Sequence, residues 1–136
     1  EAVQTMARIA EQAEKDKPRD NDIEVPAKDE CDLREFLAHA AINSTKNAGV
    51  AGIITDSETG KTARNLAAFR GPVPVLAICY REKTQRWLNL SYGVIPIYQR
   101  EQVSPQYMFF AALRMLRQKG YIKDENKIAY LSGSFG

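Results

Sequence analysis

The feature that most constrains the fold is a regular alternation of helix-like and strand-like segments, which runs from Asp32 to near the end of the chain. Short apolar runs alternate with longer segments in which apolar residues recur every three or four positions. The predicted strands are 50–55, 73–79, 94–98 and 127–131, and the predicted helices are 32–48, 61–69, 82–91 and 105–120. This alternation predicts βαβ units and an α/β fold in three layers, with a mostly parallel sheet of four to five strands. We expect a fifth, edge strand to be missing.

Capping residues indicate where these helices begin and end. Gly49 is a predicted C-terminal cap, and Ser104 and Pro105 are the predicted N-cap and first residue of the last helix. In the helix that begins at Asp32, one predicted face is formed by Leu33, Leu37, Ala40, Ala41 and Ser44.

Residues 1–30 do not follow the alternation. Residues 1–15 carry apolar side chains at three- and four-residue spacing, which predicts an amphipathic helix. Residues 16–30 contain two prolines and nine charges, which predicts a linker. The domain proper is therefore predicted at 31–136. We expect the helix to belong to a different domain, and to be frayed or covered by another molecule when that domain is absent.

Charge and hydropathy argue against several classes of function. Nineteen Lys and Arg stand against seventeen Asp and Glu, and this near balance lacks the basic stripe of a nucleic-acid-binding protein. No apolar run approaches the roughly 20 residues that span a bilayer, so no membrane partner is expected. The two cysteines, Cys31 and Cys79, are expected to be reduced thiols in a cytoplasmic protein.

The most informative segment, SETGKT at 57–62, joins a predicted strand to a predicted helix. Free backbone N–H groups and the positive end of the helix dipole attract an anion there, and hydroxyl and ammonium groups can bind a phosphate. The candidate phosphate-binding residues are Ser57, Thr59, Gly60, Lys61 and Thr62. A capped helix start without a ligand is an equally good interpretation of the same residues. A nucleotide-binding P-loop would need glycine at position 55, where the chain has Thr55.

A second loop rich in hydroxyl groups and glycine follows the last predicted strand, with Ser132, Gly133 and Ser134 as candidate phosphate-binding residues. If the last strand lies beside the first, opposite the second and third, both loops open into the crevice where strand order reverses. The two loops together suggest a phosphorylated small molecule as ligand. His39 is the only histidine, and we predict no catalytic residue and no metal site in this chain.

Three stretches, AGIIT at 51–55, SETGKTA at 57–63 and AAFRGPVPVLAICYREKTQRWLNLSYGVIPI at 67–97, resemble the C-terminal domain of the pyruvate kinase family. The resemblance covers about residues 32–131, and residues 1–15 resemble the end of the last helix of the family's catalytic barrel. It implies an enzyme that transfers phosphate from phosphoenolpyruvate to ADP, with Mg²⁺ and K⁺ bound on the barrel. It also implies that this domain binds phosphorylated effectors and contributes to a homotetramer.

By this resemblance, Ser57, Thr59, Lys61 and Thr62 match the loop that holds an effector phosphate, and residues 132–136 match the start of a loop that closes over it. Family members that bind a sugar bisphosphate place an arginine where this chain has Met108. A monophosphorylated sugar or nucleotide is therefore expected, and this chain alone is expected to be inactive. The alternatives are a stand-alone phosphate-binding module and a small phosphotransferase, although the latter lacks an acid, base or metal cluster.

Overall fold

In a computed structural model, the chain is described over residues 1–16, 32–100 and 104–132. Within these ranges it forms five helices and four strands. The helices are α1 (Ala2–Asp16), α2 (Leu33–Asn47), α3 (Lys61–Ala68), α4 (Glu82–Leu88) and α5 (Pro105–Gln118). The strands are β1 (Val50–Ser57), β2 (Val75–Cys79), β3 (Val94–Tyr98) and β4 (Lys127–Leu131).

The four strands form one sheet in the order β3-β2-β1-β4, and every pair of neighbours is parallel. The prediction that the last strand lies beside the first, opposite the other two, is confirmed. In the register of the sheet, Thr55 of β1 lies opposite Ala77 of β2 and Leu131 of β4. The reversal of strand order therefore falls between β1 and β4.

Helices cover both faces of the sheet, which confirms the three-layer α/β prediction. On one face, α2 and α3 pack on β1 and β2, and Leu88 of α4 packs beside Ala77 and Cys79. On the other face, α5 packs on the sheet through Met108, Ala112 and Leu116. The adjacent β1 residues Ile53 and Ile54 pack in different cores, as the pleat of a strand requires.

Most predicted boundaries hold to within two or three residues. β1 extends two residues further than predicted, because Asp56 and Ser57 still pair with β2. β2 begins at Val75 rather than at residue 73, since Pro74 has no N–H to donate to a neighbouring strand. α4 ends at Leu88 rather than at Ser91, because the following residues close a tight turn with bonds three residues apart.

The caps follow prediction, but of the face predicted for α2 only Ala41 is buried. Gly49 has the left-handed φ of +67° just after the α2 C-cap, and the Ser104 hydroxyl accepts the Tyr107 N–H at the start of α5. The α2 side chains buried against the sheet are Ala38, Ala41 and Ile42. Leu33 and Leu37 of the predicted face are instead 67% and 46% exposed.

The predicted N-terminal helix is present as α1, and all of its residues are exposed. Its apolar side chains Val3, Met6 and Ile9 recur on one side. The predicted linker lies almost wholly outside the described residues, so the domain boundary stays a prediction. None of the helices in the described ranges is long and apolar enough to cross a membrane.

Candidate phosphate-binding site

The topology gathers helix N-termini at one edge of the sheet. Each strand of a parallel sheet ends at the same edge, so the helix after it begins there. α3 follows β1, α4 follows β2 and α5 follows β3, while α2 ends where β1 begins and so starts at the carboxyl edge as well. This edge therefore carries the positive ends of four helix dipoles.

The loop from Ser57 to Gly60 turns the chain from β1 into α3. The buried Ser57 hydroxyl accepts the Gly60 N–H at 2.9 Å. Gly60 adopts the left-handed φ of +78° as the N-cap of α3, and it supplies no side-chain cap. A glycine is needed here, because a Cβ would also stand 3.2 Å from Thr84 Cγ2 and 3.3 Å from Leu88 Cδ2. The start of α3 is thus pressed closely against α4.

Two contacts tether this loop to the beginning of α4. The Thr84 hydroxyl donates to the Glu58 carbonyl at 2.8 Å. The Arg81 guanidinium forms an ion pair with the Glu58 carboxylate. Because Thr84 is buried and α4 packs on the sheet through Leu88, the tether gives the exposed loop a rigid support.

Lys61, the cation of the predicted site, forms an ion pair with Asp32. Its Nζ lies 3.3 Å from Asp32 Oδ2, and the other carboxylate oxygen of Asp32 accepts the Arg34 N–H at 3.0 Å as the N-cap of α2. The hydrogen bond from the Arg34 N–H holds the pKa of Asp32 below its usual range, and Lys61 contributes a second, smaller effect in the same direction. The ion pair thus links the first residue of α3 to the N-cap of α2.

The structure brings the five predicted residues of the first loop into one turn. Thr59 is exposed at the tip of the loop, and Thr62 is half-buried in the first turn of α3. Of the second loop, Ser132 lies at the end of β4 and its hydroxyl donates to Asp56 Oδ2 at 3.3 Å. Gly133 and Ser134 lie outside the described residues.

The sequence analysis did not predict a cluster of three polar side chains on the α5 side of the same edge. Asp56 is buried at the end of β1, and Tyr80 and Tyr130 stand at the ends of the two neighbouring strands. Burial raises the pKa of Tyr80 to about 12, and the charge of Asp56 acts in the same direction. Burial likewise raises the pKa of Tyr130, while the neighbouring Ser132 hydroxyl acts in the opposite direction. The sequence signal that could have indicated this cluster is the carboxylate of Asp56 directly after the apolar run of β1.

The described ranges contain no group of three His, Cys, Asp or Glu side chains that could hold a metal ion. The His39 ring packs on Phe69 with centroids 5.3 Å apart and contacts Asn43. Burial raises the pKa of the Cys79 thiol to about 11, so this thiol stays protonated at neutral pH.

The fold and the edge together define a class of protein, an open parallel α/β domain with its helix N-termini at the edge where such domains bind ligands. Residues 35–136 match the family described as pyruvate kinase, alpha/beta domain. The chain therefore belongs to the pyruvate kinase family and comprises its C-terminal α/β domain.

Individual relatives agree with this assignment. The chain is 32% identical to the pyruvate kinase of Borreliella burgdorferi over 98% of its own length and 28% of the relative's. It is 25% identical to the pyruvate kinase of Lactobacillus delbrueckii over 98% of its own length and 23% of the relative's. The chain thus spans about a quarter of these curated relatives.

A solved structure agrees on the fold. The structure of Cryptosporidium parvum pyruvate kinase in complex with ADP superimposes with a TM-score of 0.75. The match covers 79% of this chain and 21% of that one at 21% identity, and at this identity it shows the fold alone.

Proposed function

We propose that this chain is the regulatory domain of a pyruvate kinase, and that it binds the phosphate group of a small-molecule effector at the loop of residues 57–62. The observation that carries the proposal is the start of α3. Gly60 offers no side chain to cap the helix, so the first-turn N–H groups stand beside Lys61 and the Thr62 hydroxyl at the positive end of the dipole.

The proposed ligand enters from the carboxyl edge of the sheet. Thr59 is exposed at the mouth of the loop and can donate to a phosphate oxygen, as can Lys61. Ser57 is buried and already accepts the Gly60 N–H, so its part is to shape the turn. Ser132 follows the neighbouring strand β4 and is proposed as a further contact, for which its hydroxyl would have to turn from Asp56 to the ligand. Gly133 and Ser134 stay candidates from the sequence alone.

The competing interpretation is a helix start that needs no ligand. It draws support from the Ser57–Gly60 hydrogen bond and from the Lys61–Asp32 ion pair, which satisfy two polar groups of the loop internally. The two interpretations differ in one measurable respect, because only the first predicts phosphate binding that depends on Lys61.

We further propose that the effector carries a single phosphate. Met108 of α5 is 1% exposed and packs in the core, and its thioether has no hydrogen-bond donor for a second phosphate. A monophosphorylated sugar or nucleotide matches one anion-binding turn. A second basic group, Arg81 at the start of α4, is already paired with Glu58 of the same loop.

The experiment is a calorimetric titration of this chain with ribose 5-phosphate, glucose 6-phosphate, AMP and fructose 1,6-bisphosphate. Lys61→Ala should abolish binding. Lys119→Ala is the matched control, since it removes the same charge just after the C-terminal end of α5, at the opposite edge of the sheet. Binding that survives Lys61→Ala, or no binding of any of these ligands, would refute the proposed site.

The proposal extends to the whole enzyme that the relatives represent. The whole enzyme would transfer phosphate from phosphoenolpyruvate to ADP in the cytoplasm. The reaction would take place on a catalytic barrel, which would bind Mg²⁺ and K⁺. Both ions are proposed for the barrel because the resemblance to the family implies them there. The barrel and other copies of the subunit in a tetramer are the proposed partners. Turnover of phosphoenolpyruvate by this chain alone would contradict the assignment of catalysis to the barrel.

A further inference from the structure

The cation of the proposed phosphate site is already engaged by an anion of this chain. Lys61 Nζ and Asp32 Oδ2 lie 3.3 Å apart, although the two residues are 29 positions apart in sequence. The topology causes this approach, because α2 and α3 both begin at the carboxyl edge of the sheet and pack side by side. Asp32 therefore reaches Lys61 from the N-cap position of the neighbouring helix.

The Asp32 carboxylate makes the kind of contacts that a bound phosphate would make. One oxygen accepts a backbone N–H from the first turn of α2, and the other faces the Lys61 ammonium. Both are typical contacts of an anion at a helix N-terminus. The chain thus carries an internal anion beside the proposed site.

We propose that Asp32 is a specificity-determining residue, whose carboxylate competes with the incoming phosphate for Lys61. This inference rests on the proposed function, since it concerns the same site. A ligand carboxylate would only replace one singly charged carboxylate with another. A phosphate monoester brings a charge of about −1.5 to −2 and three acceptor oxygens, so it can displace Asp32 where a carboxylate gains nothing.

The exposure of the pair makes such an exchange feasible. The side chains of Lys61 and Asp32 are 50% and 43% exposed, and an ion pair this accessible to water is weak and screened by salt. Lysine carries its charge on a flexible stem with rotatable donors, so Nζ can turn from Asp32 to a ligand without movement of the backbone. Asp32 would still cap α2 after the exchange through its bond to the Arg34 N–H.

The test is Asp32→Asn, because asparagine is as good an N-cap as aspartate and removes only the charge. Titration with inorganic phosphate and with glucose 6-phosphate at low ionic strength should show binding about two- to fivefold tighter than in the parent chain, the range expected for an exposed ion pair. The gain should shrink as salt is added. Glu35→Gln is the matched control, since it removes the same charge from the first turn of α2 and should leave the affinity unchanged.

A double variant connects the effect to Lys61. In the Lys61→Ala background, Asp32→Asn should bring no gain, because there is no ammonium left to compete for. If the parent chain binds phosphate through Lys61 but Asp32→Asn binds no tighter than Glu35→Gln, competition by Asp32 is refuted and the proposed site stands. If neither the parent chain nor Asp32→Asn binds either ligand, the proposed function fails, and the competition with it.

Discussion

At Gly60 the backbone conformation favours glycine, and an added Cβ would meet α4 at short distance. In Gly60→Ala, the left-handed φ of +78° costs about 1–2 kcal/mol for an L-residue, of which about 0.4–1 kcal/mol is recovered through the lower entropy of the unfolded chain. The new Cβ would also stand 3.2 Å from Thr84 Cγ2 and 3.3 Å from Leu88 Cδ2. Crowding in a packed interior adds about 1 kcal/mol. We therefore expect a loss of about 2 kcal/mol in the free energy of unfolding.

Gly49→Ala separates the two contributions. Gly49 has a similar φ of +67°, but a Cβ there would meet nothing within 4 Å. This variant should lose only about 1 kcal/mol, the net cost of the backbone conformation.

Calorimetric thermal unfolding measures both variants. With an unfolding entropy of about 2.1 cal/mol/K per residue, 1 kcal/mol corresponds to a shift in Tm of about 3–4 °C for a chain of this length. Gly60→Ala should therefore lower the Tm by about 6–8 °C and Gly49→Ala by about half as much. Equal shifts in the two variants would show that α4 accommodates the new Cβ without cost, and would refute the expected crowding between the start of α3 and α4.

Two further predictions address α5 and the core. Ser104→Ala should lower the free energy of unfolding, measured by urea titration, by about 1 kcal/mol, because the Tyr107 N–H loses its acceptor. Ser104→Asn should cost little, and equal losses in the two variants would refute the role of Ser104 as a cap. Burial raises the pKa of Cys79 to about 11, so the unfolded chain releases this proton first, and stability should fall as the pH rises from near 9 through 11. Urea unfolding at each pH should show a shallower fall in Cys79→Ala, and an unchanged slope would contradict this assignment.

Local patterns predicted the elements because they depend on neighbours in the sequence. The Ser104 cap of α5, the left-handed Gly49 and the limits of β3 and β4 all follow from residues a few positions apart. The buried side of α2 could not be read in this way. The spacing of apolar residues in α2 fits more than one face of the helix. The orientation of α2 on β1 and β4 buries Ala38 and Ile42 and leaves Leu33 exposed.

In the candidate site, too, local features could be predicted and contacts between distant residues could not. The sequence by itself predicted residues 57–62 as a candidate anion-binding turn, since hydroxyl groups, a glycine and a lysine between a strand and a helix are local features. Three contacts could be seen only in the folded chain: Lys61 with Asp32, Glu58 with α4, and Ser132 with Asp56. These partners are 26 to 76 positions apart and meet because a parallel sheet brings the ends of its strands and the starts of its helices to one edge.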